Sequence, residues 1–388
     1  MSYRALARSA PLTFFPLGFF ARLSYAITSL GSLLLLQHGT GSHAFAGLAA
    51  GAQNLAIAVA GFAAGGLAAR FGARRLGMTL AVLNALAAVT LVAASTSGSR
   101  PAMVGAAVLV GLTQPHVGLL VRVHWSHTLG RGTAALRTAF AYESAVDELT
   151  FVAGPMLVGL FAILRPGDGP VLGMVLLLVA TSLPFAAMYT HDAAPRQASG
   201  RLPVRRMAPL VGAMAAVGAV FGSIQTATAA QAAGDAGFLY ACLGVGSAVS
   251  GIVYGWLPRS FRVHTRYVVF SVTLVLGMVL LALSPWLPLG ILVAGFFIAP
   301  YMITLYALTD ALAPPARLPV AMAALGAGGP VGTAVGQALT GALVDGPGLV
   351  VAWFVPAGCA CAGLFVALTW VRAGVPAPPS ACPPGREA

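Results

Sequence analysis

Lysine is missing altogether: all 21 basic residues in this 388-residue chain are arginine, and acidic residues number only nine. The first absence removes whole chemistries. A Walker-type phosphate loop needs its lysine on the nucleotide phosphates, so an ordinary ATP-driven pump is excluded. A lysine Schiff base to retinal or pyridoxal phosphate is excluded likewise. Charge is scarce as a whole, at 8% of residues, where soluble domains carry roughly a quarter. Cysteine offers little more. Cys242, Cys359 and Cys361 fall in apolar runs and Cys382 in a proline-rich tail, and the Cys-x-Cys pair points to different sides of a helix. They read as unpaired thiols. No HExxH motif and no nucleophile elbow occurs. Histidines fall mostly at the ends of apolar runs; His124 and His127 are three apart with no third ligand, so neither a metal nor a cofactor is expected.

What is present is apolar. Hydrophobic residues make up 59% of the chain and its mean hydropathy is +0.89. Apolar runs fall at about 12–37, 44–69, 76–97, 101–123, 138–164 and 170–190, then at 208–231, 237–257, 267–284, 286–309, 319–343 and 348–372. Most are long enough to cross ~30 Å of hydrocarbon at ~1.5 Å per residue. The first run is too long for a signal-peptide core and reads as a span. The net charge of +12 does not indicate nucleic acid, because the arginines sit in short gaps between apolar runs and not on one face. The partner is a lipid bilayer.

The arginines also orient the chain. With the amino terminus inside, eighteen lie in cytoplasmic segments and only Arg100 and Arg165 in outer loops, while Arg22 lies within a span. The positive-inside rule then places both termini in the cytoplasm. The longest polar linker, about 191–207, divides the chain into an N-terminal bundle of six helices (1–190) and a C-terminal one (208–373). The proline-rich segment 374–388 reads as a disordered tail. Twelve membrane helices in two related six-helix bundles is the expected all-α fold.

The residues around the second span carry a resemblance. The run Gly65-Gly66-Leu67-Ala68-Ala69-Arg70-Phe71-Gly72-Ala73-Arg74-Arg75 resembles the cytoplasmic signature of the major facilitator superfamily, with Gly65, Arg70, Gly72, Arg74 and Arg75 matching. Ala69 replaces the usual aspartate and Ala73 one basic residue. Gly154-Pro155 with Gly159 partly resembles the fifth-helix motif of drug–proton antiporters, and Gly329-Pro330 stands in the eleventh span. Ala299-Pro300 and the turn Ala313-Pro314-Pro315-Ala316-Arg317 resemble permeases of high-GC bacteria, whose inner membrane would be the location. The resemblance implies a monomeric secondary transporter of a small organic solute, with proton-coupled export preferred over uptake. It implies that helices two and eleven, and five and eight, meet across the halves, where glycine stripes (Gly47/Gly51, Gly251/Gly255, Gly328/Gly332/Gly336) suit surfaces that open and reseal. A non-transporting membrane sensor is the rival class. A membrane enzyme would need a compact catalytic constellation, and none stands out.

Ionisable residues inside spans are costly and mark pathways or pairs. The fifth span holds Glu143, Asp147 and Glu148, and the first holds Arg22. At ~100° per residue Glu143 and Asp147 share a face and Glu148 points elsewhere. Two carboxylates one turn apart resist joint ionisation, which suits a proton carrier. An ion-pair network with Arg22 or Arg122, or a carboxylate reaching to the cytoplasm, would place the same residues. Arg22 itself either holds an anionic solute or neutralises Asp147. Along the first span Arg22, Tyr25, Ser29 and Ser32 recur on one face. In this superfamily helices one, four, seven and ten line the cavity, which adds Gln114, Gln225, Thr228, Tyr301 and Thr304; Gln337 belongs to a polar stripe on the eleventh. Pro115 and Pro300 are candidate kinks.

Overall fold

A computed structural model describes residue 6 and residues 10–129, 133–189, 204–257, 262–314 and 317–372. Arg4, Arg8, Arg131, His191, Arg196, Arg201, Arg259 and Arg386, most of the linker and the whole tail lie outside the described residues. Among those described there are helices and no strand. Numbered as spans, the N-terminal half comprises α1 (Phe14–Thr40), α2 (His43–Phe71), α3 (Ala73–Ser97), α4 (Arg100–Leu112 and Val117–Thr128), α5 (Ala134–Leu164) and α6 (Gly169–Leu177, a π turn Leu178–Ser182, and Leu183–Ala187). The C-terminal half comprises α7 (Val204–Gln231), α8 (Ala236–Tyr254), α9 (Val263–Leu283), α10 (Leu287–Phe296 and Ile298–Leu312), α11 (Leu318–Asp345) and α12 (Leu349–Ala352 and Val355–Arg372).

Eleven of these spans are long and apolar enough to cross a membrane. The other, α11, has 28 residues but spends its faces on glycines and on Thr333, Gln337 and Thr340. It lies between α2 and α7, which cover its small and polar residues, and it leaves a stripe of Val331, Val335 and Leu339 exposed. Small residues let these backbones approach: a Cβ on Gly332 or Gly336 would collide with the Ala215 or Ala219 carbonyl of α7, and one on Gly218 or Gly222 of α7 with the backbone of Gly329 or Thr333. The Gly328/Gly332/Gly336 stripe therefore packs inside the C-terminal half, not across the halves. Its partner surface is equally glycine-rich, which the single-helix pattern did not reveal.

Proline explains one break. Pro115 has no N–H, and α4 is interrupted at 113–116; the Asn84 amide donates to the Val110 carbonyl at 2.7 Å and to the Thr113 hydroxyl at 3.1 Å, supplying partners at the interruption. In α10 the interruption falls at Phe297, just ahead of Pro300. Pro155 and Pro330 lie inside unbroken helices. Pro155 cannot bond the Phe151 carbonyl four residues back, and that carbonyl lies instead against Gly244 of α8, 2.8 Å from where a Cβ would stand. Gly72 joins α2 to α3 at φ 82°, a conformation that strains any residue with a Cβ. This turn is the structural reason for the glycine of the signature-like run.

Candidate functional site

The charges of α1, α4 and α5 converge. Arg22 on α1 donates from Nε to Asp147 Oδ1 at 2.9 Å, from one terminal nitrogen to the Gly18 carbonyl at 2.9 Å, and from the other to Glu143. Arg122 on α4 donates to the second oxygen of Asp147 at 2.6 Å. The Trp125 indole donates to the second oxygen of Glu143 at 2.6 Å. Two guanidinium groups thus face two carboxylates, which is how Glu143 and Asp147 coexist one turn apart. The two carboxylates are not alike. Glu143 is 1% exposed and Arg22 3%, whereas the side chains of Asp147 and Arg122 are about one-third exposed. Glu148 points elsewhere, is exposed and makes no ion pair among the described residues. Trp125 was not anticipated. It is fully buried among Phe14 and Phe15, and only its indole N–H betrays a polar role.

Further along α1, roughly 10 Å from Arg22 by helix rise, a second cluster ties the halves together. Gln337 of α11 donates to Ser29 Oγ at 3.1 Å and to Gln225 Oε1 of α7 at 3.0 Å. Asn54 of α2 donates to Gln337 Oε1 at 3.0 Å and to Ser29 at 3.2 Å. Ser29 donates to Gln225 at 3.0 Å, and Tyr240 of α8 also bonds Gln225. Five helices contribute, and every member is uncharged. Ser29, Gln225 and Gln337 were expected to line the cavity; Gln225 and Gln337 are instead buried within this cluster. Asn54 and Tyr240 were not expected, because each stands on a helix not counted as cavity-lining.

Between the two clusters stands Tyr25. Most of α1 around it is buried, yet Tyr25 is 44% exposed, and Tyr306 of α10 is 39% exposed. Tyr306 also lies within electrostatic reach of Arg122, Asp147 and Glu148. Both side chains are exposed where α1 of one half and α10 of the other make little contact, and the space between them is the candidate opening. Other expected cavity residues are elsewhere. Gln114, Thr228, Tyr301 and Thr304 are all buried: Thr228 bonds its own helix, Tyr301 donates to the Ala213 carbonyl of α7 at 3.4 Å, and Thr304 donates to the Pro300 carbonyl. Gln114 sits in the α4 interruption with neither amide atom partnered among the described residues. Buried helix packing, not the opening, holds all four.

The opening has one closed end. At the arginine-poor end α2 meets α11, with Gly47 against the Gln337 carbonyl, Gly51 against Ala334 and Gly341 against His43. There α5 also meets α8, with Gly237 against Pro155 and Gly159. At the arginine-rich end a Cβ on Gly65, Gly66 or Gly326 would meet nothing within 4 Å. Arg70, Arg74 and Arg75 are exposed and form no ion pair among the described residues; Arg70 lies 5.2 Å from the Phe71 ring. Gly251 of α8 approaches Ala299 of its own half. Gly154 packs against Ala26 of α1, and Gly329 against Gly218 of α7; both belong to contacts within a half.

Against solved structures the chain superposes over nearly its whole length on membrane transporters. The nucleoside transporter NupG (D323A mutant) matches with a TM-score of 0.69 at 16% identity, covering 92% of this chain and 99% of that one. The POT family transporter PepTSo gives 0.73 at 11% identity, with 93% and 98% covered. A D-xylose–proton symporter gives 0.70 at 14%, with 95% and 98% covered. The fold is that of the major facilitator superfamily. No family model matches the chain, and no curated protein does. The helix pairs that meet across the halves, α2 with α11 and α5 with α8, are those expected of this superfamily's fold.

Proposed function

We propose that this protein is a secondary transporter that moves a small polar organic solute by rocking its two six-helix halves. The observation that carries this reading is the asymmetry of the inter-half contact: sealed at the arginine-poor end, parted at the other, with polar and aromatic side chains from both halves in between. A static scaffold would have no reason to leave Tyr25 and Tyr306 uncovered at its centre. Arginine placement supports a cytoplasmic arginine-rich end with both chain termini there, and the state described is then inward-facing, in a bacterial inner membrane. Solute contacts fall to Tyr25, Ser29 and Tyr306, whose hydroxyls and aromatic faces suit an uncharged or weakly charged polar molecule.

Proton coupling resides in the α5 acids. Asp147 is shared by two arginines, so its protonation frees Arg122 from α5 and loosens α4 from α5. Glu148, exposed and without a cation partner among the described residues, is the second acid of this helix that can take up a proton. Export in exchange for protons is supported by the partial fifth-helix motif and by this acid-rich helix. The test is transport by purified protein in proteoliposomes, using nucleosides, sugars, short peptides, organic anions and amphiphilic amines under pH gradients of either sign. Accumulation driven by an opposing proton gradient, and lost in Asp147→Asn, is the expected result. Accumulation only with a parallel gradient would reverse the direction, and transport indifferent to pH gradient and to Asp147→Asn would remove the coupling.

A further inference from the structure

The sealed end holds a device that the transport reading does not require. Helix α2 begins with Ser42 as its N-cap, whose hydroxyl accepts from the Phe45 N–H at 3.1 Å. The first N–H groups of any helix lack partners within it and carry the positive end of the dipole. Here two of them are satisfied from the other half of the molecule. Asp345, the last residue of α11, accepts from the His43 N–H at 3.1 Å and the Ala44 N–H at 2.8 Å. It also accepts from the Ser42 hydroxyl at 2.7 Å and lies 2.9 Å from His43 Nδ1. One carboxylate thus takes four contacts, all on the first turn of a helix about 300 residues away in sequence.

The connection continues inward. The far nitrogen of the His43 ring lies 2.9 Å from the Gln37 amide nitrogen of α1. A single neutral tautomer satisfies both ends: Nδ1–H donates to Asp345 and Nε2 accepts from Gln37. That amide also reaches the Ala229 carbonyl of α7 at 3.4 Å. Just below the Asp345 contact, Gly47 and Gly341 bring the two backbones together. A pocket of about 250 Å³ lined by Gln37, His38, His43, Gly167 and Gly234 lies beside the contact.

We propose that Asp345 is a latch across the halves, a carboxylate of the C-terminal half that caps helix α2 of the N-terminal half only while the arginine-poor end is shut. Opening that end separates α11 from α2 and strips the helix of its cap. Charge-assisted bonds to helix N–H groups are the strong kind, and nothing else among the described residues replaces them on the first turn of α2. The latch therefore biases the resting protein toward the state open at the arginine-rich end. The proposal rests on the rocking-halves reading.

The experiment reports distances between spin labels in the full-length protein in lipid nanodiscs, with the four native cysteines replaced. One pair, Thr96→Cys and Trp286→Cys, spans the halves at the arginine-poor end; another, Thr128→Cys and Val204→Cys, spans them at the arginine-rich end. All four positions are exposed. Asp345→Asn is expected to raise the ratio of outward-open to inward-open populations by about tenfold to a hundredfold, as loss of a charge-assisted cap implies. The first distance lengthens while the second shortens. Lengthening of both means general loosening and overturns the latch. Gly47→Val, which blocks the same contact sterically, separates the remaining outcomes. If it moves the distances and Asp345→Asn does not, the latch is wrong and the rocking reading stands. If neither variant moves either distance, both are wrong.

Discussion

Removing the Arg22 guanidinium has a cost that can be worked from its partners. Arg22→Met keeps the apolar stem and deletes the charge. Glu143, 1% exposed, is then left in the interior with the Trp125 indole bond at 2.6 Å as its remaining contact. Asp147 fares better, because Arg122 still holds it at 2.6 Å and water reaches it. Breaking a buried pair by deleting one partner costs about 3–5 kcal/mol. With Asp147 still compensated, the lower end applies, about 3 kcal/mol. For a chain of this size that corresponds to a fall in melting temperature of roughly 4 °C. The assay is thermal unfolding in detergent with intrinsic tryptophan fluorescence. The double variant Arg22→Met/Glu143→Gln removes the stranded charge with its partner and should recover at least half of the loss. Equal melting temperatures for Arg22→Met and wild type would refute the reasoning, as would a double variant no better than the single.

Gly332→Val places a side chain against the Ala215 backbone within the C-terminal half; it should lower thermal stability by several degrees, while the ratio of the two conformations stays at the wild-type value in the spin-label assay. Asn54→Leu removes the donor that ties α2 to Gln337 and Ser29, leaving buried acceptors unpaired at about 1–3 kcal/mol; solute uptake or efflux should fall about tenfold or more in proteoliposomes. For Asp345, beyond the apolar stretch of α11, partial burial alone raises the carboxyl pKa. The Ala44 N–H, the Ser42 hydroxyl and His43 outweigh that effect and bring it down to about 2. Its folded-state value is depressed, so its contribution to the closed end is complete above the ordinary carboxylate range, near pH ~4, and is lost as pH falls through about 2. Acidification from pH 7.5 to 5 should therefore leave the spin-label distance at the arginine-poor end no longer than before.

Spans and two halves were legible because lipid imposes its own arithmetic: a stretch of about twenty apolar residues admits few alternatives. The pairing of Arg22 with Asp147 was legible for a related reason, since an intramembrane arginine and an acidic helix face each need compensation. The rest depended on contacts between helices. The glycines of α11 look alike on a helical wheel, and only the position of α7 shows which contact they serve. Asn54 carries no periodic signal, and its importance arises from Ser29, Gln225 and Gln337 meeting it from three other helices. Asp345 falls in a turn at the arginine-poor end, where an acidic residue is unremarkable until the first turn of α2 is seen against it. Gln114 and Tyr301 had the right helix and the wrong face, because the interruptions in α4 and α10 shift the register from which a face is counted.

The proposed opening between the two halves reaches the cytoplasm while the opposite end is shut. Side-specific labelling tests it most directly. Tyr25→Cys, in a background without the native cysteines, is exposed to a membrane-impermeant maleimide in inside-out and in right-side-out vesicles. The account predicts rapid labelling in inside-out vesicles and protection in right-side-out ones. Labelling only from the outer face, or protection from both, would contradict it.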